Sequence, residues 1–333
     1  MQNSRLTRTC LLVGVVLLMA TVMACQQQAA PAETQDINLG FNTWVGYGPF
    51  YIAQEKGFYT KRGLNVDIQR IEGTGDRRSA LIAGRLDAMG STIDDLVIGA
   101  AQGVPGKMVL GLDESAGADG ILATADIDSV EDFKGRSVAV QPGFVNHFFL
   151  LYILDDYGLS SKDIDLKPMD PDKASAAFVA GDVDVAVTWE PHLSHVQENR
   201  PDGKTFLTSS DYPGLIVDIL VFREDFIDDH PEAVTAFVDA WYEALDFIET
   251  NPDEAHEIIG NTMDLDAPEV ADILTGVKFL DEEANLAYHD SNSEVNVFGV
   301  SETASRIWEA EGFIDKAVDA STLIDISFLK GSE

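Results

Sequence analysis

The chain has 333 residues, long enough for two hydrophobic cores, and its 45% hydrophobic and 24% charged content is that of a globular protein. Its 57 acidic residues face only 22 basic ones, a net charge of −35, and this excludes a nucleic-acid surface, which needs a basic face to hold phosphates. With 2 cysteines, of which Cys10 lies in a segment due for removal, the mature chain has no internal disulfide, no cysteine-based metal site and no catalytic cysteine.

In chain order, Arg5 and Arg8 precede an apolar run over 11–19, and Val22-Met23-Ala24-Cys25 closes it with small residues. Residues 1–24 therefore read as a secretory signal, too short for a membrane span. The ending resembles a bacterial lipobox with Cys25 as the lipidated first residue; the other reading is a plain signal with an incidental cysteine. Residues 25–36 read as a polar tether. Removing Arg5 and Arg8 leaves 20 basic residues against 57 acidic, or −37. Such acidity fits either a saline habitat, where counterions screen self-repulsion, or simply an acidic secreted protein.

The alternation of apolar and polar residues predicts a strand over 37–42, then a helix over 49–59, a strand over 64–71, a helix opened by Gly73-Thr-Gly-Asp76 and a strand over 88–91. A helix follows over 94–101, and strands over 108–112 and 120–124 flank a polar loop from Asp113 to Asp119. From about Val130 the order repeats: strand 137–141, a helix started by Pro142-Gly143, strand 164–169, helix 174–180 and strand 185–188. A strongly apolar strand over 216–222 returns the chain. Residues 231–250 carry Val234, Phe237, Val238, Trp241, Leu245 and Ile248 on one helical face behind Pro231.

An internal echo ties the two units together. Leu81-Ile-Ala-Gly-Arg-Leu-Asp-Ala-Met-Gly-Ser-Thr92 and Phe178-Val-Ala-Gly-Asp-Val-Asp-Val-Ala-Val-Thr-Trp189 match at Ala83/Ala180, Gly84/Gly181, Asp87/Asp184 and Ser91/Thr188, an offset of 180 − 83 = 97 residues. That spacing is a domain's, not a solenoid repeat's. The expected fold is α/β with two lobes, each a mixed, mostly parallel sheet flanked by helices. Lobe I takes 37–124 and 219–333, lobe II takes 125–218, and crossovers at 124–130 and 212–218 form the hinge. Ligands of such sheets sit beyond the carboxyl ends of the strands, so the facing lobes make a cleft.

Catalytic signatures fail. His256-Glu-Ile-Ile-Gly260 lacks the second histidine of a zinc-protease helix, Asp113-Glu-Ser-Ala-Gly117 lacks the first glycine of a nucleophile elbow, and Gly73-Thr-Gly-Asp-Arg-Arg78 lacks the last glycine of a dinucleotide loop. His192 and His195 have a metal-capable spacing, but a solvated helix face explains them as well. No catalytic residue, metal site or cofactor is expected.

The run Trp44-Val-Gly-Tyr-Gly-Pro-Phe-Tyr-Ile-Ala-Gln-Glu-Lys-Gly-Phe-Tyr59 with Gly63-Leu-Asn-Val66, and later Ala180-Gly-Asp-Val-Asp184 with Thr188-Trp-Glu-Pro191, resembles periplasmic substrate-binding proteins of ABC importers. The nearest branch is the nitrate, sulfonate and taurine group, which shares its fold with thiamin-pyrimidine binders, and the resemblance covers about residues 37 to 315. It implies a type II periplasmic-binding-protein clamshell, a small-molecule ligand, a permease with its ATPase as partner, an extracytoplasmic monomer, and membrane attachment through a lipid on Cys25 only. A pyrimidine-synthase-like enzyme and a sensory ligand-binding module are the alternatives of another class. The enzyme would need a cysteine-rich iron motif that the mature chain cannot supply.

The expected ligand contacts lie in loops after strands. Trp44 and Tyr47 follow the first strand and either stack on a planar or cationic group or pack the rim of the core. Ser91, Thr92 and Asp94 either bond a ligand or cap a helix. Asp113 and Asp119 flank the polar loop; Gln141 and His147 stand at a helix start, where backbone N–H groups face outward. Trp189 and Glu190 follow the strand that matches that of Ser91, and Asp218 interrupts the apolar return strand. A carboxylate about 5 Å from an anion costs about 3 kcal/mol at an effective dielectric near 20. A helix N-terminus returns only about 0.3–1 kcal/mol. The acid-rich set therefore points to a planar or cationic nitrogen compound, guanidine- or amidine-like. Arg77 and Arg78 are the support for the rival, a sulfonate, taurine or nitrate held at that helix start.

Overall fold

In the computed structural model residues 34–332 are described; the signal segment, Cys25 and the tether up to residue 33 lie outside the described residues. Two sheets organise the chain. The first has the order β11 (Val277–Phe279), β4 (Gly106–Ser115), β10 (Val217–Arg223), β3 (Ala88–Thr92), β1 (Gln35–Phe41), β2 (Leu64–Arg70). The second has the order β7 (Asp165–Pro168), β6 (Ser137–Val140), β8 (Val185–Trp189), β5 (Asp119–Thr124), β9 (Gly203–Thr208).

Both sheets follow one plan. β1 runs parallel to β2 and β3, and β6 runs parallel to β7 and β8. An antiparallel strand then joins on the far side, β10 against β3 and β5 against β8. Each is the first strand after the chain crosses from the other sheet. These crossings and the edge strands that follow make both sheets mixed rather than mostly parallel.

The first crossing comes earlier than the sequence pattern suggests. Residues 120–124, expected in lobe I, belong to the second sheet. The expected polar loop from Asp113 to Asp119 shrinks to three residues, because β4 continues through Ser115 and β5 starts at Asp119. Asp113 pairs with Asp218 of β10 and Phe279 of β11, so its charge sits in a strand and not in a solvated turn. Ser115 Oγ meets Ser209 Oγ at 2.8 Å, and Ser209 Oγ also accepts from the N–H of Gly117, so the outgoing and returning strands are stitched where they pass.

The echo has a structural basis. Gly84 (φ 65°) and Gly181 (φ 83°) both take the left-handed conformation that ends a helix. Three residues on, Asp87 Oδ2 accepts from the backbone N–H and side chain of Asn38, and Asp184 Oδ2 accepts from the N–H and hydroxyl of Ser137. Asp87 thus locks β3 to β1, and Asp184 locks β8 to β6.

Helices α1 (Gly48–Glu55), α2 (Thr74–Ile82) and α3 (Ile93–Ala101) belong to the first lobe, and α4 (Val145–Asp156), α5 (Pro171–Ala180) and α6 (His192–Asn199) to the second. After the short α7 (Glu224–Asp229), α8 (Pro231–Thr250) buries Val234, Phe237, Val238 and Trp241, with Trp241 at 4.7 Å from Phe50 of α1. Each such side chain taken from water contributes about 1.5–3 kcal/mol. α9 (Pro252–Met263), α10 (Ala267–Leu274) and α11 (Glu282–Tyr288) complete the first lobe, and α12 (Val297–Ala310) packs on both α3 and α4. Among the described residues no helix is long and apolar enough to cross a membrane.

Candidate functional site

Three helices begin at one place between the sheets. Thr74 opens α2, Thr92 stands at the N-cap of α3 and Phe144 at the N-cap of α4, and none of the three starts carries a side-chain cap bond. Around them lies an inner chamber of about 480 Å³, part of it open to solvent. Trp44, Tyr47, Ser91 and Asp218 line it from the first lobe; Asp119, Phe144 and Trp189 line it from the second. A larger outer chamber shares Asn42, Trp44, Phe144 and Trp189 with it and opens toward Gln141, Glu190 and Met263. Phe144 and Trp189 stack at 5.9 Å with their planes 17° apart, and with Trp44 they form an aromatic partition between the chambers.

The floor is acidic. Tyr47 Oη donates to Asp218 Oδ1 at 2.5 Å, and Trp44 Nε1 donates to Asp113 Oδ1 at 3.2 Å. Gly46 permits the second bond, because a Cβ there would collide with Asp113 Oδ2 and Trp44 Nε1. Burial pushes the carboxyls of Asp113 and Asp119 up to about 7. Burial, reinforced by the charge of Asp113, holds Asp218 well above the usual carboxylate range against the Tyr47 bond. Desolvation and the Asp218 charge likewise raise the Tyr47 phenol.

Neither arginine of the second helix is unengaged. Arg77 lines the inner chamber, but its Nη1 donates to the carbonyls of Ile71 and Glu72 and its Nη2 to Thr74 Oγ1. Arg78 faces Asp95 at 3.0 Å, and Ser91 Oγ donates to the same carboxylate at 2.5 Å.

Of the residues expected from sequence, Trp44, Tyr47, Ser91, Thr92, Asp119, Trp189 and Asp218 line the inner chamber, and Gln141 and Glu190 line the outer one. Asp113 lies directly behind Trp44. Asp94 and His147 line neither chamber. The Asp94 carbonyl accepts from Trp308 Nε1 at 3.1 Å, while the His147 ring packs on Trp308 and Phe313. Burial pushes Asp94 up to about 7 and His147 down to about 4. Both sit one helical face away from the opening, which strand-end reasoning does not resolve. Phe144, the main omission, follows Pro142-Gly143 in sequence, and its helix-start position was the available signal. Among the described residues no group of three or more His, Cys, Asp or Glu is arranged to hold a metal ion.

The sequence profile of the NMT1-like family matches residues 30–261. A putative aliphatic sulfonates-binding protein of Bacillus subtilis (strain 168) is 28% identical over 326 residues, 96% of this chain and 94% of that protein. The taurine-binding periplasmic protein of Escherichia coli (strain K12) is 26% identical over 226 residues, 66% of this chain and 69% of that protein. Among solved structures, the periplasmic aliphatic sulphonate binding protein SsuA from Escherichia coli superposes with a TM-score of 0.75 at 20% identity, covering 91% of this chain and 96% of that one. The chain thus has the periplasmic-binding-protein fold.

Proposed function

We propose that this chain, which belongs to the NMT1-like family, is the extracytoplasmic solute-binding component of an ABC importer and that its solute is a small organic molecule carrying a protonated nitrogen centre. The observation that carries the solute class is the pair Asp119 and Asp218 facing one chamber, with Asp113 behind them. An ammonium, amidinium or guanidinium group there gains charge-assisted hydrogen bonds of about 1.5–3 kcal/mol each. Trp44, Phe144 and Trp189 supply faces for a planar or cationic group.

A second reading rests on the uncapped starts of α2, α3 and α4 beside Arg77, a setting that favours an anion. It agrees with the names of the sulfonate- and taurine-binding relatives. An aminosulfonate of the taurine kind would use both ends of the chamber, its amine on the carboxylates and its sulfonate at the helix starts.

In operation, the solute enters from the outer chamber, and lobe II adds Asp119 and Trp189 to the contacts of lobe I, so the closed form is preferred only when both sets are engaged. The closed protein then docks on a permease, held near it by a lipid on Cys25. Thermal-shift and calorimetric titration of the mature protein with taurine, guanidinium chloride, ethanesulfonate and nitrate test the solute class. Binding of taurine or guanidinium without ethanesulfonate or nitrate is the expected result; tight ethanesulfonate binding with no response to either nitrogen cation overturns it.

A further inference from the structure

Three buried acids gather at the inner chamber against one resident cation, Arg77. Asp113 and Asp218 are cross-strand partners on β4 and β10, Asp119 begins β5 at the crossing, and all three are buried. The groups that face them are Trp44 Nε1 on Asp113, Tyr47 Oη on Asp218, the hydroxyl of Ser115 beside Asp119, and Arg77. Arg77 spends its Nη hydrogens on two carbonyls and a threonine hydroxyl, its single charge offsets at most one of the three acids, and among the described residues no ion pair includes any of them. A further observation marks an unfilled demand for a donor: Asp113 Oδ2 has no partner although its side chain is fully buried. Neighbouring carboxylates in a desolvated site cannot all ionise without a countercharge, and what neutralises them is either a proton or a ligand.

We propose that the empty chamber keeps a proton on its Asp113–Asp119–Asp218 cluster and that the solute's positively charged N–H group displaces it, so that capture exchanges one cation for one proton. This rests on the solute class proposed above and adds a mechanism to it. The exchange is balanced: a carboxyl O–H bond within the cluster breaks, its proton leaves to solvent, and an N–H donor of the solute takes its place on Asp119 or Asp218, the two members that line the chamber. With Asp113 and Asp119 pushed up to about 7 by burial, the exchange falls in the neutral range. Below it the dissociation constant rises about tenfold for each unit of falling pH, and above it the affinity is flat.

The test has an arm without ligand and an arm with it. Infrared spectra of the ligand-free protein, taken in an Asp94→Asn background to remove the acid outside the cluster that burial likewise pushes up to about 7, are expected to contain a carboxylic-acid C=O band at pH 6 that is lost at pH 9. The band should weaken in Asp113→Asn and in Asp119→Asn; the second variant guards against misfolding in the first. Calorimetry with taurine and with guanidinium chloride, each in two buffers of unlike ionisation enthalpy, is expected to give about one proton released per solute at pH 6 and, with guanidinium, whose charge does not titrate in this range, none at pH 9. Absence of the band, or binding with no proton release at pH 6, overturns the exchange and leaves the solute class standing. If neither probe binds, the solute class fails and the exchange with it.

Discussion

The phenol of Tyr47 donates to Asp218 at 2.5 Å across 171 residues of chain, fastening the loop after β1 to the strand that returns from the second lobe. Both side chains are buried, so replacing the donor leaves a desolvated carboxylate short of a partner. Tyr47→Phe is expected to lower stability by about 1–3 kcal/mol in urea denaturation, and an unchanged midpoint would show that the bond contributes nothing.

Trp189 is half-buried, and its ring faces the chamber and stacks on Phe144, so its contribution is to the solute more than to the core. Trp189→Ala should weaken binding of whichever solute is bound by about 2- to 13-fold, the equivalent of about 0.5–1.5 kcal/mol for an aromatic contact, while Trp189→Phe keeps most of the affinity. Equal affinity in wild type and Trp189→Ala, read by calorimetry, contradicts a wall role.

Asn285 is fully buried in α11 and spans the gap to β4. Its Oδ1 accepts from the Gly111 N–H at 2.8 Å, and its Nδ2 donates to the carbonyls of Gly111, Leu280 and Asp281 at 2.9–3.1 Å. Asn285→Ala strands several buried backbone groups at once, and a loss of about 3 kcal/mol or more is expected in chemical denaturation. A loss below 1 kcal/mol would mean that water replaces the side chain.

Asp94, Asp113 and Asp119 are pushed up to about 7 in the fold against about 3.9 when unfolded. Between those values the native chain holds protons that the unfolded chain has released, so stability falls as pH rises through about 4 to 7 and this contribution is gone above it. His147 acts oppositely: burial lowers it to about 4, so its contribution is lost as pH falls from about 6.5 toward 4. Moving from pH 8 to pH 6.5 engages mainly the carboxyls and should add about 0.5–1 kcal/mol per group. Asp94→Asn should remove one such share, visible as a smaller gain in the urea midpoint; an unaltered gain would assign the effect elsewhere.

The net charge of −35 makes self-repulsion a property of the whole surface. Raising sodium chloride should therefore raise the melting temperature, most steeply at low ionic strength, where the screening length changes fastest. A flat response in differential scanning calorimetry would rule out salt adaptation as the reason for the acidity.

Strand and helix order was legible because each lobe repeats a strand–helix pattern whose punctuation is chemical. Gly84 with Asp87 and Gly181 with Asp184 mark the same turn twice, for the same reasons of backbone conformation and strand locking. The boundary between lobes was not legible. Asp113 and Asp119 look like turn residues, and only the pairing of Asp113 with Asp218 and of Asp119 with Trp189 shows that they lie in strands. In the site, Trp44, Trp189 and Asp218 stood out as polar or aromatic residues at strand ends. Asp94 and His147 also follow strand ends, but the Asp94 carbonyl and the His147 ring meet Trp308, a residue some 160 or more positions later in the chain. Long-range partners of this kind leave no local pattern to read.

The last long helix alters what each half of the molecule is. Trp308 of α12 is fully buried, donates to the Asp94 carbonyl in the first lobe, and packs on His147 and Phe148 in the second. Neither half is then a self-sufficient module: excising the segment between the two crossings would strip α4 of its cover, and trimming the C-terminus would expose both halves at once. Chimaeras assembled from relatives must carry α12 along with the partner surface it was selected against, so recombination at the crossings alone is the wrong cut.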